Sequence, residues 1–383
     1  MIKKLKIAIV SDLHCTDNID RRAITRLHPD TPGIPTVRHP VEALKTLIKK
    51  DQLEVDILLC PGDIADQVNK IGYHSGWRYV EEIANALNAK SIFATLGNHD
   101  VASRAEKPEQ AFSVAKTLKT NYPVISPSDQ KEFWADNFTV IEEEQYRLLI
   151  FNSVHDHFNT TTSKKVSIDE ATLEKIKERL EKTDKSKIGI AMSHHHPTNH
   201  SNADFSDSDF IDKGDKLLKL LNEYAFSLYI HGHKHEPMLR TLNDVSILCA
   251  GSFSCLENLN ETESENMFHI VEIFDHKGIV KSWDYGPVSG WHINNSSSGF
   301  PNITGYGFKG EINDLASAIN DWMIKKNIEI SNLRLLKEDI DAISFLRPDQ
   351  QQDLQNKLIS DFSIEVLPGI RCGDKASINK QIN

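Results

Sequence analysis

Five short apolar runs in this chain each end beside an Asp, Asn or His, and that repetition constrains the fold more than any other feature. Ile7–Val10 runs into Asp12 and His14, Ile57–Cys60 into Asp63, and Ile92–Thr95 into Asn98, His99 and Asp100. Ile188–Met192 leads to His194, His195 and His196, and Leu228–Ile230 to His231, His233 and His235. Short runs rich in Ile, Val and Leu read as buried strands. Further strands are predicted at Leu148–Phe151, Ile247–Ala250, Phe268–Ile273 and near Val280–Trp283. Amphipathic stretches between the runs predict helices at Val41–Lys50, Arg78–Leu87, Glu109–Lys119, Ile168–Lys182 and Lys213–Tyr224. The fourth opens on Ser167 and Glu170, spaced as a capping box. Such alternation belongs to a layered α/β protein. In open α/β sheets ligands bind beyond the carboxyl ends of the strands, so the five polar ends point to one shared site.

The rhythm holds to about residue 293. A small polar segment at 294–302, containing Asn294-Asn295-Ser296-Ser297-Ser298-Gly299, reads as a linker. Beyond it, Ile312, Leu315, Ile319 and Trp322 have helical spacing, as do Leu354, Leu358 and Phe362. Residues 303–383 are therefore expected to form a mainly helical appendage. Its apolar stripes suit a partner protein, self-association, or packing on the first domain as added core.

Charge and cysteine usage narrow the setting. The formal net charge of −11 disfavours a non-specific nucleic-acid binder, which neutralises phosphates with Lys and Arg. It does not argue against a phosphate substrate, because bound cations reverse the local field. Five scattered cysteines without a CxxC pair fit a reducing, cytoplasmic setting rather than a disulfide framework. The basic start Met1–Lys6 precedes an apolar run too short for a signal peptide, and nothing approaches the ~20 apolar residues of a membrane span.

Taken singly, the polar ends have plain readings. Asp12-Leu13-His14 fits a capping Asp beside an incidental His, and Gly62-Asp63 fits a turn. On an extended segment, however, side-chain alternation puts Asp12 and His14 on one side, where both can grip one ion. Gly97-Asn98-His99-Asp100 is less generic: Asn98 offers a neutral oxygen, His99 can face a substrate oxygen, and Asp100 can hold the His99 ring. The clusters Ser193-His194-His195-His196-Pro197 and His231-Gly232-His233-Lys234-His235 sit at equivalent strand ends. Two such clusters are not explained by core packing, since imidazoles are costly to bury unpaired.

In this order, Asp-x-His, Gly-Asp, Gly-Asn-His-Asp, His-x-Pro and Gly-His-x-His, the blocks resemble the calcineurin-like metallophosphoesterase superfamily over Ile7 to Gly286. The resemblance implies a two-sheet sandwich flanked by helices, with two divalent cations at the strand ends. By motif, one ion would be held by Asp12, His14, Asp63 and His235. The second would be held by Asp63, Asn98, His195 and His233, with Asp63 bridging. His195 is chosen because the family ligand lies two residues before the proline, and His194 is the alternative. Mn²⁺, Fe²⁺ or Zn²⁺ suit this donor set, with Mn²⁺ favoured. A hydroxide between ions ~3.5–4 Å apart would attack phosphorus in line, while His99, oriented by Asp100, stabilises or protonates the substrate.

Departures from the family's branches narrow the expectation further. Gln67-Val68 follows Asp66 where the protein phosphatases carry Arg-Gly after the second Asp, and position 66 is Asp, not the Tyr of the purple acid phosphatases. The details look most like the class III cyclic nucleotide phosphodiesterases. The expected activity is hydrolysis of a phosphate ester, a diester before a monoester. A nuclease is the enzymatic alternative, and a catalytically silent metal-binding scaffold is the alternative of another class. The Cys15–Pro40 connection, with Arg21, Arg22, Arg26, His28, Arg38 and His39, is expected either to overhang the site and bind a phosphate or to be a solvated surface loop. His155, His157, Tyr73 and His74 are further candidates to line it.

Overall fold

The computed structural model describes residues 4–29, 39–105, 107–118, 121–199, 209–256, 266–293 and 299–381. Three parallel strands come first: β1 (Lys4–Ile9), β2 (Ile57–Cys60) and β3 (Ser91–Ala94), in that spatial order. Helices Pro40–Asp51 and Lys70–Ala86 connect them. The former begins with Pro40, whose missing N–H costs nothing in the first turn, and buries Val41, Leu44, Leu47 and Ile48. It ends at Gln52 in the left-handed region (φ 51°).

The chain then builds a second sheet from β4 (Phe138–Glu142), β5 (Tyr146–Phe151), β6 (Ile188–Met192), β7 (Phe226–His231), β8 (Met238–Leu242) and β9 (Val245–Cys249). Its order is β4-β5-β6-β7-β9-β8, with β5, β6, β7 and β9 parallel. Every residue of β6 and of β7 is buried, as in strands covered on both faces. Helices Glu170–Leu180 and Gly214–Glu223 cover the outer face with Leu173, Ile176, Leu217 and Leu221. The first of these is capped by Asp169, whose Oδ1 accepts from Thr172 N at 2.6 Å. Ser167, read from sequence as the cap, instead bridges Asp212.

Strands β10 (Asn266–Phe274), β11 (Lys277–Gly286) and β12 (Gly290–His292) return to the first sheet, antiparallel beside β1. The two sheets enclose a continuous core that includes Ile7, Leu58, Phe93, Ile190, Leu228 and Phe268. The expected helix-flanked two-sheet sandwich is the observed architecture.

The C-terminal region is more than a bundle of helices. β13 (Ile303–Tyr306) pairs with β11, so the first sheet takes a strand from beyond the sequence-predicted linker. Residues 294–298 of that linker, and Arg38 of the long connection, lie outside the described residues. Helices Ile312–Lys326, Leu333–Asp339 and Pro348–Phe362 pack with a small sheet of β14 (Ile330–Asn332), β15 (Ile364–Leu367) and β16 (Ser377–Lys380). They form a separate core around Leu315, Ile319, Leu354, Leu358 and Val366. Among the described residues no helix is long and apolar enough to cross a membrane.

Candidate metal centre and active site

The loops leaving β1, β2, β3, β6 and β7 converge beyond the strand ends. Asp12, His14, Asp63 and His235 are all buried, with ligand atoms within 4.8 Å of one another. His14 Nε2 lies 3.2 Å from His235 Nε2 and 3.4 Å from Asp63 Oδ2, and His235 Nε2 lies 3.3 Å from Asp12 Oδ1. A second group adjoins the first. Asn98 Oδ1 lies 2.9 Å from His194 Nε2 and 3.0 Å from His233 Nδ1. Asp63 Oδ2 is shared, since it also lies 3.3 Å from His194 Nε2.

The local backbone differs from the extended segment inferred from sequence. Asp12 (φ 54°), His14 (φ 48°), Asp63 (φ 50°), His233 (φ 72°) and His235 (φ 56°) all occupy the left-handed region. The convergence of Asp12 with His14, and of His233 with His235, therefore comes from turned loops rather than strand alternation. Backbone N–H groups hold the carboxylates in place. His233 N donates to Asp12 Oδ1 at 3.0 Å and His99 N to Asp63 Oδ1 at 2.8 Å.

The ring partners sort the histidines. His194 Nδ1 donates to Pro61 O at 2.9 Å, so Nε2 is the ring nitrogen aimed at Asp63 and Asn98, where a cation can replace its proton. His195, the residue chosen from the proline spacing, turns its Nδ1 to Ser153 Oγ at 2.9 Å. The structure thus puts His194 beside Asp63 and Asn98, while the His195 ring lies 4.4 Å from that of His233, centroid to centroid. His233 Nε2 meets Asp209 Oδ2 at 2.9 Å, a carboxylate partner that orients Nδ1 toward Asn98.

His99 and Asp100, expected to pair, have different hydrogen-bond partners. Asp100 is fully buried and accepts from the backbone N–H of Ala65 and of Gly97, each at 2.9 Å. It fastens the β3 loop to the β2 loop. Burial and then the charge of Asp63 push its carboxyl up to about 7, against the pull of those two N–H groups. His99 is held instead by Asp66, whose Oδ1 lies 3.2 Å from His99 Nδ1. Arg21 clamps the same carboxylate with Nε at 3.0 Å and Nη2 at 3.2 Å. Asp66 was visible in the sequence only as the residue standing where a tyrosine would be. The His99 ring lies 4.5 Å from that of His14, centroid to centroid, and is a quarter exposed.

The electrostatics fit cations. Burial pushes Asp63 up, yet the charges of His194 and His99 and the hydrogen bond to His194 hold it well below its ordinary value. Burial likewise opposes ionisation of Asp12, but His235 keeps it lowered. Burial would discharge His235, but hydrogen bonds to Asp12 and Cys255 raise it to about 10. Buried carboxylates therefore demand positive charge at this point, which divalent cations meet with the same lone pairs.

A cavity of about 500 Å³ opens beside Asn98 and His99 and extends past Val68 and Ala102 to Arg104. Other sequence candidates face elsewhere. Tyr73 donates to the Tyr122 hydroxyl at 2.6 Å, His74 pairs with Thr117, and His157 Nε2 meets Lys165 O.

A two-sheet sandwich with paired Asp, Asn and His clusters at its strand ends defines a metal-dependent phosphoesterase class. The calcineurin-like phosphoesterase family matches residues 5–237, and this chain belongs to that family. Purple acid phosphatase PPD1 from yellow lupin (Lupinus luteus) seeds superposes with a TM-score of 0.50 at 15% identity, over 76% of this chain and 52% of that one. The chain thus spans about half the length of that phosphatase. PhoD superposes with a TM-score of 0.49 at 8% identity, over 76% of this chain and 68% of that one. GAP50, the anchor in the inner membrane complex of Plasmodium, gives 0.42 at 16% identity, over 78% and 91%. At 15% identity the likeness to the lupin phosphatase is one of fold. Among curated proteins none matches the chain.

Proposed function

We propose that the chain hydrolyses a phosphodiester, with two divalent cations held by the paired clusters. Asp12, His14, Asp63 and His235 would hold one ion, and Asp63, Asn98, His194 and His233 the other. The observation that carries this reading is Asp63 Oδ2, within 3.4 Å of His14 Nε2 on one side and 3.3 Å of His194 Nε2 on the other. When bound, such ions lower the pKa of water and neutralise phosphoryl charge.

The protein's own groups do the rest. Asp66 fixes the His99 ring, and Arg21 fixes Asp66, so the imidazole meets the substrate already oriented. His99 lines the cavity with its ring 4.5 Å from that of His14, and in this reading it gives a proton to the leaving oxygen. Among the described residues lining the cavity, Arg104 is the one Arg or Lys, and Val68, Val101 and Ala102 are apolar. That lining suits an uncharged organic group, and a diester carries two such groups where a monoester carries one. The five cysteines, none of them in a disulfide, support a reducing compartment such as the cytoplasm.

The test is turnover by the full chain after chelation and reloading with Mn²⁺, Fe²⁺ or Zn²⁺. Substrates would be p-nitrophenyl phosphate, bis-p-nitrophenyl phosphate, cyclic nucleotides, and single- and double-stranded DNA and RNA. Metal-dependent hydrolysis favouring a small diester is the expected result. Faster monoester hydrolysis would overturn the diester assignment. Bound metal without turnover on any substrate would leave a scaffold.

A further inference from the structure

A cysteine that none of the sequence blocks contains stands at the first cluster. Cys255 lies beyond β9, fully buried, and its sulfur forms a group with ring nitrogens of His14 and His235 in which all ligand atoms lie within 4.8 Å. Its backbone is tied down from several sides. It bridges Thr25, its N–H donates to Ser252 Oγ at 2.8 Å, and its carbonyl accepts from Asn266 Nδ2 at 2.7 Å. Asn266 is held in turn by Arg26 Nε at 2.9 Å. The loop after β1, the loop after β9 and the start of β10 therefore jointly fix where this sulfur sits. The same two histidines belong to the Asp12, His14, Asp63 and His235 group, so the thiol adjoins an existing donor set.

We propose that Cys255 Sγ is an additional ligand of the cation held by Asp12, His14, Asp63 and His235, an inference that rests on the two-metal reading above. The thiol gives up its proton to solvent when the ion binds, as metal-binding cysteines do. A thiolate is a soft donor that selects zinc or iron over manganese. The second group, with Asp63, Asn98, His194 and His233, holds no sulfur. The two positions thus differ in preference: Zn²⁺ or Fe²⁺ at the cysteine side, and a harder ion such as Mn²⁺ admitted at the asparagine side. The alternative is a packing thiol that donates a weak S–H bond to an imidazole. A packing thiol leaves the metal preference unchanged.

Cobalt distinguishes these. The full chain is stripped with chelator, loaded with Co²⁺, and measured by absorption spectroscopy and by metal content per chain. Two bound Co²⁺ and an intense near-ultraviolet thiolate-to-cobalt charge-transfer band are expected. Cys255→Ser should lose the band while keeping bound cobalt, and Cys60→Ser should keep the band. In competition titrations, Cys255→Ser should lower the Zn²⁺-over-Mn²⁺ preference of one site by about 10-fold or more. Two bound Co²⁺ without the band in the unaltered chain would overturn the proposal and leave the two-metal reading standing. A band that survives Cys255→Ser would overturn it by assigning the signal to another thiol. Failure of the unaltered chain to bind cobalt would overturn both. The spectrum of the unaltered chain decides the matter even if Cys255→Ser does not fold.

Discussion

Asp66 is where single atoms decide the site's behaviour. Its two oxygens are shared among His99 Nδ1, Arg21 Nε and Arg21 Nη2. Burial works against its charge, but the His14 ring 3.8 Å away and hydrogen bonds from His99 and Arg21 hold the carboxyl far below its ordinary range. Asp66→Asn keeps the volume and removes that charge. It should retain both metals and KM while lowering kcat by about 10²-fold, as measured by steady-state kinetics with metal content in parallel. An unchanged kcat would remove Asp66 from its positioning role. The histidine assignment has an equally sharp test: His194→Ala should lose about one metal per chain, and His195→Ala should keep both. At this scale the sequence conveyed residue types better than partners. Proline spacing selected His195 because nothing in the local sequence shows that Pro61, 133 positions away, takes the His194 Nδ1 proton. Asp100 looked like the partner of His99 because it is adjacent, yet its side chain faces the Ala65 and Gly97 amides.

At the scale of elements, the site depends on how tightly the loops beyond the strands pack together. A Cβ on Gly97 would meet the Asp63 carboxylate and its backbone N–H. Gly97→Ala should therefore displace Asp63 and reduce bound metal from two ions per chain toward one or none, with kcat down at least ~10²-fold. Metal analysis on the folded variant, with its fold checked by circular dichroism, reads this out. Strand β10 supplies a second element-scale expectation. His269 is buried between Ala250 O and Ser282 Oγ, each 2.8 Å from a ring nitrogen, and burial pushes it from 6.5 down to about 4. The unfolded chain binds this proton near pH 6.5, whereas the folded chain resists it down to about pH 4. The contribution of His269 is thus complete above pH 6.5 and shrinks as pH falls toward 4, by about 3 kcal/mol in all. Denaturant unfolding between pH 7 and 4.5 should show this slope, and His269→Gln should flatten it. Most strands were legible because buried apolar runs stand out, and β2 and β6 fall where the sequence put them. The helix Pro127–Asp136 was not, because Phe133 is its one buried side chain among the described residues and no apolar stripe marks it. Helix Lys70–Ala86 starts eight residues before the predicted Arg78, since its first turns bury Gly72, Tyr73, Gly76 and Trp77 rather than Leu or Ile.

For the whole molecule, the question is whether residues beyond 302 form a separate domain or part of the catalytic body. Read along the sequence, the polar segment at 294–302 divides the chain, because composition changes there. In space the division falls later. β13 hydrogen-bonds along Gly278–Lys281 of β11, and Tyr306 is fully buried against Gly278. Thr304 Oγ1 and Gly305 N both donate to Leu346 O, which ties that strand to the helical region. Phe345 packs edge-on to Phe274 with centroids 6.1 Å apart, and Lys277 Nζ lies 3.9 Å from its ring centre. Three- and four-residue strands such as β14 and β15 are too short for alternation to reveal them, so the small sheet was hidden in the sequence. A chain stopped after Asn302 would leave Gly278–Lys281 of β11 unpaired on that edge and uncover the surface under Tyr306 and Phe345. Each of those aromatic side chains contributes roughly 1.5–3 kcal/mol by burial, so the melting temperature should fall by about 5–10 °C. An open edge of this kind also invites pairing between copies, and the truncated chain should show concentration-dependent association by light scattering. Turnover per folded, metal-loaded molecule should stay close to that of the full chain, because every residue assigned to the metal clusters and to His99 precedes residue 256. If truncation leaves melting unchanged, β13 adds nothing to the sheet and the region is an independent domain. If turnover is abolished while two metals remain bound, the C-terminal region acts on the site itself.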